Sequence, residues 1–121
     1  MMRLAVRCLL SAVLLVTACK SEDHTTTGGG NADRGKQLVA QNGCTACHIV
    51  PGITGPRGMV GPPLEHFASR SVLAGKIPNT PDNVMRFLQN PQAADPMNAM
   101  PNLGITPADS KDIAAFLYTL K

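Results

Sequence analysis

The stretch Gly43-Cys44-Thr45-Ala46-Cys47-His48 limits what this chain can become more than any other. Two thiols three positions apart, followed at once by an imidazole, make the Cys-x-x-Cys-His pattern of covalent haem attachment. On a helical turn, thiols at this spacing both reach one edge of a porphyrin, and each forms a thioether with one of its two vinyl groups. His48 then lies under the iron and can ligate it as the neutral imidazole.

Other uses of the pair fit the sequence less well. A structural zinc site takes four ligands, typically as two separated pairs. Only His66 and His24 could join Cys44 and Cys47, at poor spacing, and His24 reads as a solvated residue. A thioredoxin-like dithiol expects a strand-to-helix context, which is missing. A disulfide between the two would close a very small loop.

The other two cysteines lie near the N-terminus. Arg3 and Arg7 flank the start of an apolar run from Cys8 to Val16. That run is shorter than the roughly 20 residues a membrane span needs, so residues 1–18 read as a secretory signal. Val16-Thr17-Ala18-Cys19 resembles a bacterial lipobox, which predicts cleavage before Cys19 and lipid on its thiol. Several acyl chains at about 0.8 kcal/mol per buried CH₂ anchor a protein durably. The expected location is therefore the periplasmic side of a bacterial membrane. Cys44 and Cys47 are then the only thiols of the mature domain, in a compartment where a free pair does not last.

Processing also alters the charge. The whole chain carries 11 basic and 8 acidic residues; losing Arg3 and Arg7 leaves nine against eight. No basic tract remains, so charge points to no nucleic-acid partner. Residues 19–31 read as the lipidated cysteine and a flexible Gly-rich tether, and residues 32–121 as the folded domain. Twelve such tether residues have an end-to-end distance of roughly 20 Å.

Helix signals recur along the domain. Asn31 is the candidate cap of a first helix whose Gly35, Leu38, Val39 and Asn42 share one face, with Gly43 as its stop. Residues 50–64 hold four prolines and four glycines and read as loop. The segment 63–70 predicts a short helical piece. Thr80-Pro81 and Thr106-Pro107 each place a cap before a first-position proline. In the last helix Ile113, Phe116, Leu117 and Leu120 form one stripe. No segment alternates as a strand does, so the fold class is all-α, about four helices with long Pro/Gly loops. With only Phe67, Phe87, Phe116 and Tyr118 as aromatics, the core is small, and a haem would fill much of it.

A second axial ligand is expected downstream, and four methionines qualify by position. Met85 falls in a helical apolar pattern and reads as core. Met59 sits in the loop near the attachment motif, while Met97 and Met100 lie in a Pro-flanked segment before the last helix. His66, 18 residues after His48, is a weaker rival.

The chain from about Gly35 to Leu120 resembles the class I monohaem cytochrome c family. The residues that carry the likeness are GKQLVAQNGCTACH at 35–48, GPPL at 61–64, AMPNLG at 99–104 and DIAAFLYTL at 112–120. The resemblance implies one covalently bound haem c per chain, wrapped by the domain at 32–121. It implies Met100 as distal ligand, because proline follows it, and Pro62 as the residue whose carbonyl fixes the His48 tautomer. It places Arg70 near a haem propionate, and Gly35 and Phe116 at the crossing of the first and last helices. The tryptophan that many members place near the propionates is missing. A looser similarity links AGKIPNTPDN and NPQ to small cytochromes encoded with or fused to respiratory oxidases.

His/Met ligation closes both axial positions, which suits exchange of single electrons and not substrate binding. The expected function is a membrane-tethered carrier between respiratory redox proteins, with no small-molecule substrate. The alternatives are a fixed relay subunit of a dehydrogenase or terminal oxidase complex, and a haem enzyme or gas sensor in which Met100 dissociates.

Overall fold

The computed structural model describes residues 25–26, 28–56 and 58–121. The expected signal segment, Cys19 and His24 lie outside them.

Helix α1 spans Ala32–Gln41 and α4 spans Pro107–Leu117. Each starts on a side-chain cap: Asn31 accepts the Arg34 N–H, and Thr106 accepts the Asp109 N–H. At the end of α1 the Asn42 amide donates back to the Leu38 carbonyl at 2.8 Å, and Gly43 turns out of the helix at φ +70°. The two helices cross at Gly35. A Cβ there would stand 1.9 Å from the Asp112 carbonyl oxygen and 3.0 Å from the Phe116 Cβ. Only glycine permits that approach. At the rim, Arg34 pairs with Asp112 and, at 2.6 Å, with Asp109.

Helix α2, Pro81–Gln89, packs on α4 and buries Val84 and Leu88. The Gln89 amide donates to the Ser110 hydroxyl at 3.0 Å, and that hydroxyl donates to the Pro107 carbonyl. Fully buried Ser110 is thus satisfied on both sides. The one-turn α3, Pro91–Ala94, follows at once on its own cap, Asn90. The core joins Val39 of α1, Val84 and Leu88 of α2, and Ile113, Phe116 and Leu117 of α4. Tyr118 meets Phe67 edge-on at 5.8 Å and donates to Asn79 at 2.8 Å. Asn79 in turn donates to the carbonyls of Phe67 and Arg70, which ties the chain end to the loops.

Two features depart from the sequence expectation. The helical piece over 63–70 is reduced to a 3₁₀ turn at Phe67–Ser69. The preceding His66 sits at φ +56°, off the right-handed helical path. There are also two antiparallel pairs, β1 (Thr25–Thr26) with β2 (Gly30–Asn31) and β3 (Val72–Leu73) with β4 (Ile77–Pro78). Strands of two residues are too short to show alternation in a sequence. The second pair closes through Ala74 and Gly75, both at positive φ. Gly30, at the end of the Gly-rich segment, is buried on α4, where a Cβ would stand 2.2 Å from the Lys111 carbonyl oxygen. The class remains all-α, with four α-helices among the described residues. Among the described residues no helix is long and apolar enough to cross a membrane.

Candidate functional site

After Gly43 the chain makes a 3₁₀ turn over Cys44–Ala46, and the amides of Cys47 and His48 both donate to the Cys44 carbonyl, at 3.2 and 2.9 Å. Buried Thr45 anchors this turn, and its carbonyl accepts the Gly58 N–H. The turn delivers both thiols and the imidazole to one cavity of about 860 Å³. Val39, Val84, Leu88, Ile113 and Leu117 supply apolar walls from three helices, and Phe67 and Leu73 supply more from the loops. A volume of this order, apolar with a few placed polar groups, is that of a cofactor site. A second hollow of about 380 Å³ lies between Thr45, Pro51 and Glu65, but neither a cysteine nor a methionine lines it.

Cys44 and Cys47 are not bonded to each other. Burial pushes the Cys44 thiol up, and the neighbouring Cys47 adds to this. Among the described residues no three His, Cys, Asp or Glu side chains come together in a way that could hold a metal ion by themselves.

His48 is held from the loop at 61–64. Its Nδ1 lies 2.7 Å from the Pro62 carbonyl oxygen. A carbonyl only accepts, so Nδ1 carries the proton and donates, and the Nε2 lone pair is left for a ligand. The loop approaches closely because residue 61 is glycine; a Cβ there would fall 2.2 Å from the imidazole Cε1. Backbone bonds from Gly61 to Cys47 and from Leu64 to Ile49 hold the loop alongside the attachment turn.

The four methionines separate by position. Met97 and Met100 line the cavity, while Met59 and Met85 do not. Met97 is 89% exposed and Met59 86%. Met100 is half-buried and packs against the core, as does Met85. Met100 is therefore the methionine that both lines the cavity and is held by packing. His66 is absent from the lining. Arg70 lines the wall with its guanidinium 6.0 Å from the Phe67 ring centroid, and its Nη2 donates to the carbonyls of Pro63 and Glu65. The residues singled out in the sequence, Cys44, Cys47, His48, Pro62, Arg70 and Met100, thus surround one space.

Sequence reasoning missed Gln92 and Asn98. The Gln92 amide donates to the carbonyls of Met100 and Asn98, at 2.5 and 3.3 Å. The Asn98 side chain accepts the Met100 N–H at 2.8 Å. Polar residues in a Pro-flanked, aperiodic stretch give no signal that could have found them.

The residues present fit a covalently held haem. Two thiols and an imidazole with a fixed tautomer share an apolar cavity with a thioether from a distant segment. Comparison with known proteins agrees. The cytochrome c family pattern matches residues 32–121. A cytochrome c oxidase subunit 2 from Alkalihalophilus pseudofirmus is 33% identical over 91 residues, which is 74% of this chain. The match covers 26% of that relative, so the chain corresponds to about a quarter of it.

Proposed function

The chain belongs to the cytochrome c family, and from that membership together with the lipobox-like Val16–Cys19 we propose that it is a membrane-tethered carrier of single electrons between respiratory partners. Membership implies covalently bound haem c and haem-based electron transfer. The observation that carries the finer reading is the meeting of Cys44, Cys47, His48 and Met100 on one apolar cavity. Haem c bound there would supply an iron able to gain and lose one electron.

The chain's own residues set the terms of that exchange. Cys44 and Cys47 would hold the group by thioethers, so a small domain would not lose it. His48 offers Nε2 while Pro62 keeps the proton on Nδ1, which strengthens the ligand. Met100 offers the thioether that favours the reduced state and raises the potential. If His48 and Met100 both ligate, no place would be left for a substrate, which is why a carrier is preferred to an enzyme. The apolar walls would give the bound group surroundings of low polarity. Arg70 commits Nη2 to two carbonyls and keeps its other N–H groups for a propionate. The lipobox at Val16–Cys19 supports a lipid anchor at Cys19 on the periplasmic side of the membrane. Redox proteins of the respiratory chain are the partners this role requires, met through small transient contacts.

The relationship to an oxidase subunit 2 favours a second reading, a haem relay held within an oxidase complex. Co-purification with a large catalytic subunit would support the relay; isolation alone would support the shuttle. The ligand set is tested by absorption spectra of periplasmically matured protein, oxidised and reduced, for wild type and Met100→Ala. A ferric sulfur-to-iron charge-transfer band in wild type that vanishes in Met100→Ala is expected. Its absence from wild type would move an open-site sensor or enzyme ahead of the carrier.

A further inference from the structure

The Met100 segment has little regular structure of its own. It runs from Asp95 to Ile105 between α3 and α4, with prolines at 96 and 101 that donate no backbone hydrogen bond. Hydrogen bonds to its backbone come from few places. The Asp95 carboxylate accepts the Met97 N–H at 3.2 Å and pairs with Lys76 at 3.3 Å. The Asn98 side chain accepts the Met100 N–H, as described above. Backbone bonds run from the Asp95 N–H to the Pro91 carbonyl of α3 and from the Asn98 N–H to the Asp95 carbonyl, and the side chain that ties the segment to α3 is Gln92, half-buried on that turn. Both hydrogens of its amide are used on this one segment, at residue 98 and at residue 100.

We propose that Gln92 is a positioning residue for Met100: by gripping the carbonyls on either side of residue 99, its amide holds the thioether in the cavity and sets how readily it leaves the iron. The proposal rests on Met100 being the distal ligand. Gln92 does not line the cavity and acts only through the backbone it holds. A release of Met100 that moves its backbone would break these hydrogen bonds, so they would weigh against the open form. The open form is the one that admits an outside ligand, and apparent affinity for such a ligand scales with the open fraction.

The experiment is titration of the ferric, haem-loaded protein with imidazole, read by loss of the sulfur-to-iron band. The variants are Gln92→Leu and Gln92→Glu, with Gln89→Leu as control. Glutamate keeps the shape of glutamine, yet at neutral pH it has no N–H to donate. Gln89 makes a comparable pair of bonds, to the Met85 carbonyl and the Ser110 hydroxyl, away from the Met100 segment. Imidazole should bind both Gln92 variants about tenfold more tightly than wild type, a factor within the range that the net loss of two hydrogen bonds gives. Binding to Gln89→Leu should match wild type even where its thermal stability falls. Affinity within twofold of wild type in either Gln92 variant, or an equal rise in the control, overturns the role of Gln92. A wild-type band that survives Met100→Ala removes the ligand assignment itself, and the proposal with it.

Discussion

The Nδ1 atom of His48 stands 2.7 Å from the carbonyl oxygen of Pro62, a contact that exists because the residue before that proline has no side chain. A Cβ at 61 would lie 2.2 Å from Cε1 and 2.6 Å from Nδ1 of the ring. Gly61→Ala must therefore move the loop or the imidazole, and overpacking of this kind costs about 1–3 kcal/mol. The haem-loaded variant should melt about 5–15 °C lower than wild type and mature in lower yield. An unchanged melting temperature would show that the loop yields without strain.

The crossing of α1 and α4 gives a sharper case. Alanine is a better helix former than glycine by about 1 kcal/mol, so Gly35→Ala would stabilise an isolated α1. In the protein, the new methyl meets the backbone carbonyl of Asp112 at 1.9 Å, and backbone cannot step aside as a side chain can. Denaturant unfolding should show a net loss of about 2–3 kcal/mol. A gain would mean that the helices are free to slide.

Acid should loosen the same end of the molecule. Hydrogen bonds from Thr106 first, and Arg34 next, hold the Asp109 carboxyl below the usual carboxylate range. A depressed folded-state pKa contributes stability above the unfolded value, and this is lost as pH falls through the folded one. Asp109→Asn should therefore be less stable than wild type near neutral pH, with the difference closing in strong acid. The group lies half-buried at the rim beside an exposed Arg34, so the effect will be modest and screened by salt. Urea midpoints of both proteins between pH 2 and pH 7 check the sign. A constant difference across that range would remove Asp109 from the account.

Much of this was legible because the decisive signals are local. Cys44, Cys47 and His48 lie within five residues, and Asn31, Thr80 and Thr106 each announce a helix one position ahead. Gly35 could be placed at a helix crossing only through the family resemblance; spacing alone leaves it a weak spot in a helix. What stayed hidden depends on contacts between distant segments. The pairing of Val72–Leu73 with Ile77–Pro78 rests on a reversal in which Ala74, not only Gly75, takes positive φ. The 3₁₀ turn at Phe67 depends on His66 adopting the same sparsely populated region. The grip of Gln92 on residues 98 and 100 exists only once α3 and the following loop fold together.

The cavity itself sets the last prediction. Val39, Val84, Leu88, Ile113 and Leu117 point apolar surface from three helices at a space of about 860 Å³, far larger than the voids a packed interior tolerates. Without a group bonded in that space, these side chains lack partners on one side, and the helices lose their main reason to stay together. The double variant Cys44→Ser/Cys47→Ser removes both attachment points and keeps side chains of similar size. Far-ultraviolet circular dichroism should show loss of most helical signal, with no cooperative thermal transition. A native-like spectrum with a cooperative melt would mean that contacts between α1 and α4 hold the domain without its cofactor, and that the thioethers serve retention of the haem alone.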